Sequence, residues 1–391
     1  MKKDFLKYQA QTTNTPLALE ISHAKGSYVY DIKGKKYLDF IAGVSANTLG
    51  HSNPIITNAI KKQVDKYLHV MVYGEFIQEQ PVKLAKLLVD NLPKNLNQVY
   101  LVNSGTEATE GALKLAKRIT KRSEIIAAKN AYHGNTQGAM SVCGNEEQNR
   151  AFRPLLPNIK FITFNNLEDL SKITTKTACV ILETIQGGAG FILPEVNYLK
   201  KVNERCQEVG ALLILDEIQS GIGRTGKLFE FQNQNMSPDI VITGKGLGGG
   251  LPIGAFIASD KMMQELKENP KLGHITTFGG NPLIASSALA TLTEVLESNL
   301  MQDVLEKEKL FRKLLVHSLI KEVRGKGLML ALILPNEELA SKLILKSLEN
   351  GLLLFWLLFE GKAVRITPPL TIYDKEIKEG CEIILSVLDG L

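Results

Sequence analysis

With 391 residues, 44% hydrophobic and 22% charged, the chain has an ordinary globular composition and is long enough for a large domain and a smaller one. A net charge of +5 that is not gathered into basic runs gives no reason to expect a nucleic-acid partner. The longest apolar run, LLLFWLLF at 352–359, is too short to cross a bilayer, Cys143, Cys179, Cys206 and Cys381 show no C-x-x-C pairing, and MKKDFLKYQAQTTNTP lacks a signal peptide's apolar stretch; a cytoplasmic protein with no metal site and no membrane partner is expected.

Residues 1–50 combine a polar arm with two strand-like pieces, GSYVYDI and KKYLDFI, separated by a turn at Lys33-Gly34. After His51-Ser52-Asn53-Pro54 the spacing of Ile56, Ala59, Ile60 and Val64 predicts a helix with proline near its start. A second helix is expected over 80–92, through Val82, Leu84, Ala85, Leu87 and Leu88.

QVYLV followed by NSGTEATEGALKLAKR reads as a strand, a glycine turn and a long amphipathic helix, with Ser104 and Glu107 spaced as a capping box. A helix N-terminus at a strand end also presents free N–H groups and the positive end of the helix dipole, so Gly105 and Thr106 are read as a cradle for a phosphate. CVILE is a buried-strand pattern ending on Glu183, and a helix from about Asn197 to Gly210 leads into the next strand. Alternating helix and strand here implies a mostly parallel sheet covered by helices, an α/β fold.

The stretch 211–255, ALLILDEIQSGIGRTGKLFEFQNQNMSPDIVITGKGLGGGLPIGA, carries the chemistry. One apolar run ends on Asp216 and Glu217; a second ends on Gly244, followed by Lys245 among glycines. Ligands of open α/β sheets bind outside the carboxyl ends of the strands, so a carboxylate and an amine are delivered to one place. A lysine there suits condensation with an aldehyde cofactor, and pyridoxal phosphate (PLP) needs such a lysine together with an acid on its ring nitrogen, for which Asp216 is the natural partner. Gly221, Gly223 and Gly226 also match the dinucleotide fingerprint G-x-G-x-x-G. That reading is disfavoured because no helical run follows the glycines.

LDEIQSGIGRTG and TGKGLGGGLPIGA, together with LDFIAGVSANTLGHSNP, NSGTEATEGALKLAKR, AYHGN, ETIQGGAG, TTFGGNP and VRITPPL in the same order, resemble class III, fold-type I, PLP-dependent aminotransferases of the acetylornithine and ornithine aminotransferase group. The resemblance implies a PLP-dependent transferase fold of type I: a large PLP-binding domain over 51–285 and a smaller α+β domain formed by both chain ends, 1–50 and 286–391. It places Tyr132 on one face of the pyridine ring and Ile218 on the other, Gln219 at the phenolic oxygen, and His133 and Glu183 beside the cofactor. Thr277 would reach the phosphate of a neighbouring subunit, which implies a homodimer with shared sites. Arg365, in the alternating run VRI, is taken as the substrate-carboxylate arginine.

Two positions depart from the family pattern. Asn135 stands where the family has an arginine that grips a substrate carboxylate, and Gly188 where it has a glutamate that pairs with the arginine equivalent to Arg365. The expected reaction is ping-pong transfer of an amino group, in particular the terminal amine of an ornithine-like, acetylornithine-like or other ω-amino donor, to 2-oxoglutarate or another 2-oxo acid. The alternative within the family is a racemase, aminomutase or decarboxylase; more remote is a PLP-binding protein without catalysis.

Overall fold

The computed structural model describes residues 1–391. Its centre is a seven-stranded sheet in the order Gln98–Val102, Gly254–Ala258, Ile240–Gly244, Leu212–Asp216, Thr177–Glu183, Glu124–Ala128, Ile159–Ile162. Gly254–Ala258 runs antiparallel to both its neighbours, and the five strands from Ile240–Gly244 onward are parallel to one another. Thr177–Glu183, Ile240–Gly244, Gly254–Ala258 and Glu124–Ala128 are buried along their whole length. That is why they read as unbroken apolar runs rather than alternating ones. The register sets Glu183 opposite Asp216, so two strands end level, while Asp216 faces Ile242 and Ile240–Gly244 runs two residues further before Lys245.

The expected helices form close to their sequence signals. Pro54–Val64 is capped by Asn53, whose side chain accepts the Ile55 N–H, and Glu79–Asp90 follows it. Tyr198–Val209 ends on Gly210 in the left-handed conformation at φ 67°, which glycine adopts without penalty. Gly105–Thr120 turns Ala108, Ala112, Leu115 and Ala116 into the core. The Ser104 side chain accepts the Glu107 N–H as a cap, but the Glu107 carboxylate bonds the Asn103 N–H at 2.8 Å instead of returning to Ser104. Helix Pro282–Glu297 packs on Pro54–Val64 and Glu79–Asp90. Each fully buried leucine or isoleucine in this core contributes up to roughly 1.5–3 kcal/mol.

Two further sheets flank the central one. Ile21–Lys25, Tyr28–Asp31 and Lys36–Asp39 form an antiparallel meander, and Leu352–Leu353 from the far end of the chain adds to it in parallel. Glu322–Lys326, Met329–Ile333, Ala363–Ile366 and Phe355–Trp356 form the third sheet, antiparallel throughout. Trp356 is half-buried against the core and donates its indole N–H to Ser341 Oγ at 3.0 Å.

Candidate active site

Lys245 follows directly on the strand Ile240–Gly244 and opens a short 3-10 turn, Lys245–Gly248, with its own φ at +39°. A left-handed backbone at a lysine is strained, and such strain collects at functional sites. The turn is held from behind: Thr48 Oγ1 donates to the Gly246 carbonyl at 2.8 Å, and a Cβ at Gly246 would lie 2.7 Å from that hydroxyl. Lys245 is half-buried, and desolvation, the largest influence, pulls its amine below the ordinary lysine value; the charge of Arg365 acts the same way, while Asp216 and Glu183 oppose it.

Asp216 ends its strand buried, with both oxygens engaged. Oδ1 accepts the Ile218 N–H at 2.9 Å, and Oδ2 meets His133 Nδ1 at 2.7 Å. Glu183, at the same level on the next strand, accepts the Gly187 N–H at 3.0 Å and the Tyr132 N–H at 3.2 Å. Burial pushes its carboxyl up to about 7, with Asp216 adding to the rise and His133 opposing it. Tyr132 is half-buried, and desolvation raises its hydroxyl above the ordinary value. Gln219 sits against this group: its amide nitrogen donates to Ser45 Oγ at 3.4 Å, and a Cβ at Gly187 would come within 2.8 Å of its Oε1 and 3.1 Å of Glu183 Oε1.

The helix start joins the same cluster. A Cβ at Gly244 would lie 3.5 Å from Gly105 N, so the strand end that carries Lys245 touches the first turn of Gly105–Thr120. A Cβ at Gly105 would lie 2.7 Å from Ile218 Cδ1. The first N–H groups of a helix have no intrahelical acceptor, which leaves those of Gly105 and Thr106 available to an anion. Thr106 Oγ1 pairs with Thr136 Oγ1 at 2.8 Å, and Thr136 donates onward to Glu110 Oε1 at 2.6 Å. Glu110 also accepts the N–H groups of Gly138 and Ala139.

Arg365 comes from the third sheet. It is 5% exposed, its Nε and Nη1 are buried without a protein acceptor, and its guanidinium lies 5.8 Å from the centre of the buried Phe191 ring. Burial alone draws its pKa down to about 10. Gly188 contributes no acid, and its surroundings are closed: a Cβ there would meet Phe359 Cδ2 at 2.8 Å, and the Gly188 carbonyl accepts the Phe359 N–H at 2.9 Å. Asn135 is exposed. So is Thr277, the one site residue from the sequence reading that lies outside this cluster.

Several supporting residues were missed. Glu217, read only as half of an acidic pair, is fully buried and accepts from Thr184 Oγ1, Ser220 Oγ, Glu230 N and Phe231 N, so it organises the loop after the Asp216 strand. Residues Ala42 to Ser45 are all left-handed, with φ between 49° and 67°. Asp39 Oδ1 holds this segment through the N–H groups of Ile41 and Ala42, and His51 Nε2 braces Asp39 Oδ2 at 2.8 Å. Glycine occupies only one of those four positions, so no local signal marks the turn.

A buried lysine amine, an oriented carboxylate at the level of a second one, an anion-binding helix start and an unpaired arginine therefore surround one space. The family model for class III aminotransferases matches residues 8–388. The chain belongs to the class III aminotransferases. The acetylornithine aminotransferase of Caldanaerobacter subterraneus subsp. tengcongensis is 40% identical over 98% of each chain. The [LysW]-aminoadipate semialdehyde/glutamate semialdehyde transaminase of Sulfolobus acidocaldarius is also 40% identical, over 80% of this chain and 81% of its own. Among solved structures, ornithine aminotransferase from Toxoplasma gondii superposes with a TM-score of 0.92 at 30% identity, over 100% of this chain and 96% of that one. The fold is that of the fold-type I PLP-dependent transaminases, and a PLP-dependent transaminase is the activity these relatives support, rather than a racemase, aminomutase, decarboxylase or non-catalytic protein. No helix is long and apolar enough to cross a membrane.

Proposed function

We propose that this aminotransferase takes the terminal amino group of an ω-amino acid, in the acetylornithine or ornithine class, and passes it to 2-oxoglutarate or a similar 2-oxo acid. The observation that carries the reading is the placement of Lys245 and Asp216 at the carboxyl ends of adjacent parallel strands, with Arg365 held on a separate sheet, unpaired, within electrostatic reach of the lysine. Relatives named for acetylornithine and for ornithine support the donor class.

The residues fit PLP. The close approach at Gly105, where a side chain would collide with Ile218, and the free N–H groups of the helix start suit a phosphate beside a flat ring. When bound, PLP supplies an aldehyde and a ring that accepts electrons. Gly105 and Thr106 would hold the phosphate, Asp216 the protonated ring nitrogen, Gln219 the phenolic oxygen, and Tyr132 and Ile218 the two ring faces, with His133 and Glu183 behind. Lys245 Nζ, its proton affinity lowered by burial, is suited to accept a proton from the donor's amine-bearing carbon and deliver it two bonds away, across the amine nitrogen. Arg365 orients the donor carboxylate in one half-reaction and the oxo-acid carboxylate in the other; because the cofactor would keep the amino group between the two, ping-pong kinetics are expected.

A homodimer is part of the proposal. Val70, Met71, Phe76, Ile77, Ile275 and Phe278 are exposed together with Thr277, an apolar surface of the kind that subunit contacts cover. We assign Thr277 to the phosphate in the second copy's site. We also divide the chain into a large domain, 51–285, and a small one, 1–50 with 286–391, a division the pairing of Leu352–Leu353 with Lys36–Asp39 supports. Four buried free thiols suit a reducing, cytoplasmic setting.

The test is the absorbance spectrum of the purified holoenzyme mixed with single donors and no oxo acid: N-acetylornithine, ornithine, lysine, 4-aminobutyrate, putrescine and glutamate. Conversion of the visible band by an ω-amino acid, fastest of the panel, is the expected result. A band that no donor converts would overturn the reading.

A further inference from the structure

Arg224 belongs to GIGRTG, the glycine motif set aside as a dinucleotide decoy, and the proposed chemistry leaves it without a task. It is 2% exposed. Its Nη1 donates to the Leu328 carbonyl at 2.8 Å and to the Pro368 carbonyl at 2.9 Å, and its own carbonyl accepts the Leu328 N–H at 2.9 Å. Its Nη2 is buried without a protein acceptor. The contact leaves no slack, because a Cβ at Gly327, where φ is +61°, would lie 2.3 Å from the Arg224 carbonyl oxygen.

The two carbonyls lie at the same end of the antiparallel ladder that holds Arg365. Leu328 immediately precedes Met329–Ile333, whose Ala331 is the register partner of Arg365, and Pro368 lies just beyond the end of Ala363–Ile366. Arg224 itself sits on the loop that Glu217 organises after the Asp216 strand. One side chain thus ties the loop following Asp216 to both strands at one end of the ladder that presents Arg365.

A neutral amide could also donate to two carbonyls, so the positive charge needs its own account. Burial draws the Arg224 guanidinium down to about 9, and the charge of Arg365 adds to that fall; no acid offsets either arginine. Two buried cations near each other with no protein counter-ion are costly, and an arriving anion relieves that cost.

We propose that Arg224 is a positioning residue for the substrate carboxylate: it fixes the Arg365 strand against the Asp216 loop, and its charge strengthens the attraction of Arg365 for a carboxylate. The inference rests on the assignment of Arg365 to the substrate carboxylate. It predicts a defect confined to substrates that bear one.

The experiment compares steady-state kinetics of the holoenzyme and its Arg224→Gln variant with an ω-amino acid and with the matching diamine, alongside inhibition by an unreactive monocarboxylate and the melting temperature. For Arg224→Gln we expect KM for the ω-amino acid and Ki for the monocarboxylate to rise about tenfold, with kcat and the diamine's constants held within about threefold. Equal losses for diamine and ω-amino acid, or no change for either, would overturn the proposal and leave a plain structural staple. Should Arg224→Gln not fold, Arg224→Lys carries the same comparison, since it keeps the charge and loses the two-carbonyl grip: a KM rise limited to the ω-amino acid supports positioning, and an unselective or absent change overturns it. Arg365→Gln separates the two claims. If it leaves KM for the carboxylate substrate unchanged, the Arg365 assignment fails; if it is selective and the Arg224 variants are not, only the present inference fails.

Discussion

His133 Nδ1 lies 2.7 Å from Asp216 Oδ2, with both side chains buried. The other Asp216 oxygen accepts the Ile218 N–H, so the carboxylate is fixed in rotation by two bonds from opposite sides. For this pairing Nδ1 carries the proton and donates, while Nε2 is buried with no protein acceptor. Replacing His133 with Phe keeps a flat ring and removes the donor. A charge-assisted bond is worth about 1.5–3 kcal/mol, so the rate of the donor half-reaction should fall roughly ten- to a hundredfold. Stopped-flow absorbance with one donor and no oxo acid measures it; an unchanged rate would show that Asp216 does not depend on His133 for its alignment.

Lys245→Ala should leave the fold intact and abolish multiple turnover. The position already has a non-glycine residue at φ +39°, so alanine adds no backbone strain, and the substitution removes an amine that burial disfavours in its charged form. The variant's melting temperature should stay within a few degrees of the parent's, and the visible band of lysine-linked cofactor should disappear. Sustained turnover would disprove the assignment.

Glu183 gives a pH signature. Its folded carboxyl titrates near 7, raised by burial from an ordinary 4.5, so between those values the folded state holds the proton more tightly than the unfolded chain. The stability this provides is fully present below about pH 4.5 and is lost as pH rises towards 7, on the order of 3 kcal/mol in all. Glu217, also raised to about 7 by burial, acts with the same sign. Glu183→Gln loses one good bond at every pH, because both oxygens accept N–H groups, from Gly187 and Tyr132. That offset is constant. The discriminating quantity is therefore slope: between pH 5 and 7 the melting temperature of the variant should fall less steeply than the parent's, and parallel curves would show that Glu183 does not titrate there.

What the sequence made legible was local. Strands buried on both faces read as apolar runs, and their last residues, Asp216, Glu183 and Gly244, mark the ligand side of the sheet. Pairing across long separations was not readable in its details: nothing local says that Leu352 lies beside Leu38. The left-handed segment Ala42–Ser45 escaped notice because tertiary bonds from Asp39 and from Thr367, which donates to the Ile41 carbonyl, hold non-glycine residues in a conformation they would not choose alone. Arg224 carries no local signal: with the nucleotide fingerprint set aside, nothing in GIGRTG shows that its arginine is buried against Leu328 and Pro368, far away in the chain.

The Gly188 departure leads to the last prediction. Gly188 and Phe191 belong to one short turn closed by the paired N–H and carbonyl groups of Gln186 and Ile192, and Phe191 lies under the Arg365 guanidinium. An acid on this turn would be the natural internal partner for Arg365, yet position 188 has no room for one: even a Cβ would meet the Phe359 ring at 2.8 Å. Gly188→Glu alone should therefore destabilise the protein through that collision, lowering its melting temperature, as overpacking costs typically about 1–3 kcal/mol. Adding Phe359→Ala removes the ring and should restore part of the loss. In the double variant the glutamate competes with substrate for Arg365, so KM for ω-amino acids and 2-oxo acids should rise by about tenfold or more while a diamine is spared. Arg365→Gln, which removes the charge itself, should raise the same constants roughly ten- to a hundredfold with or without the glutamate. If the double variant binds carboxylate substrates as the parent does, the missing acid at position 188 has no bearing on substrate choice, and the ungated arginine is not what sets this enzyme's specificity.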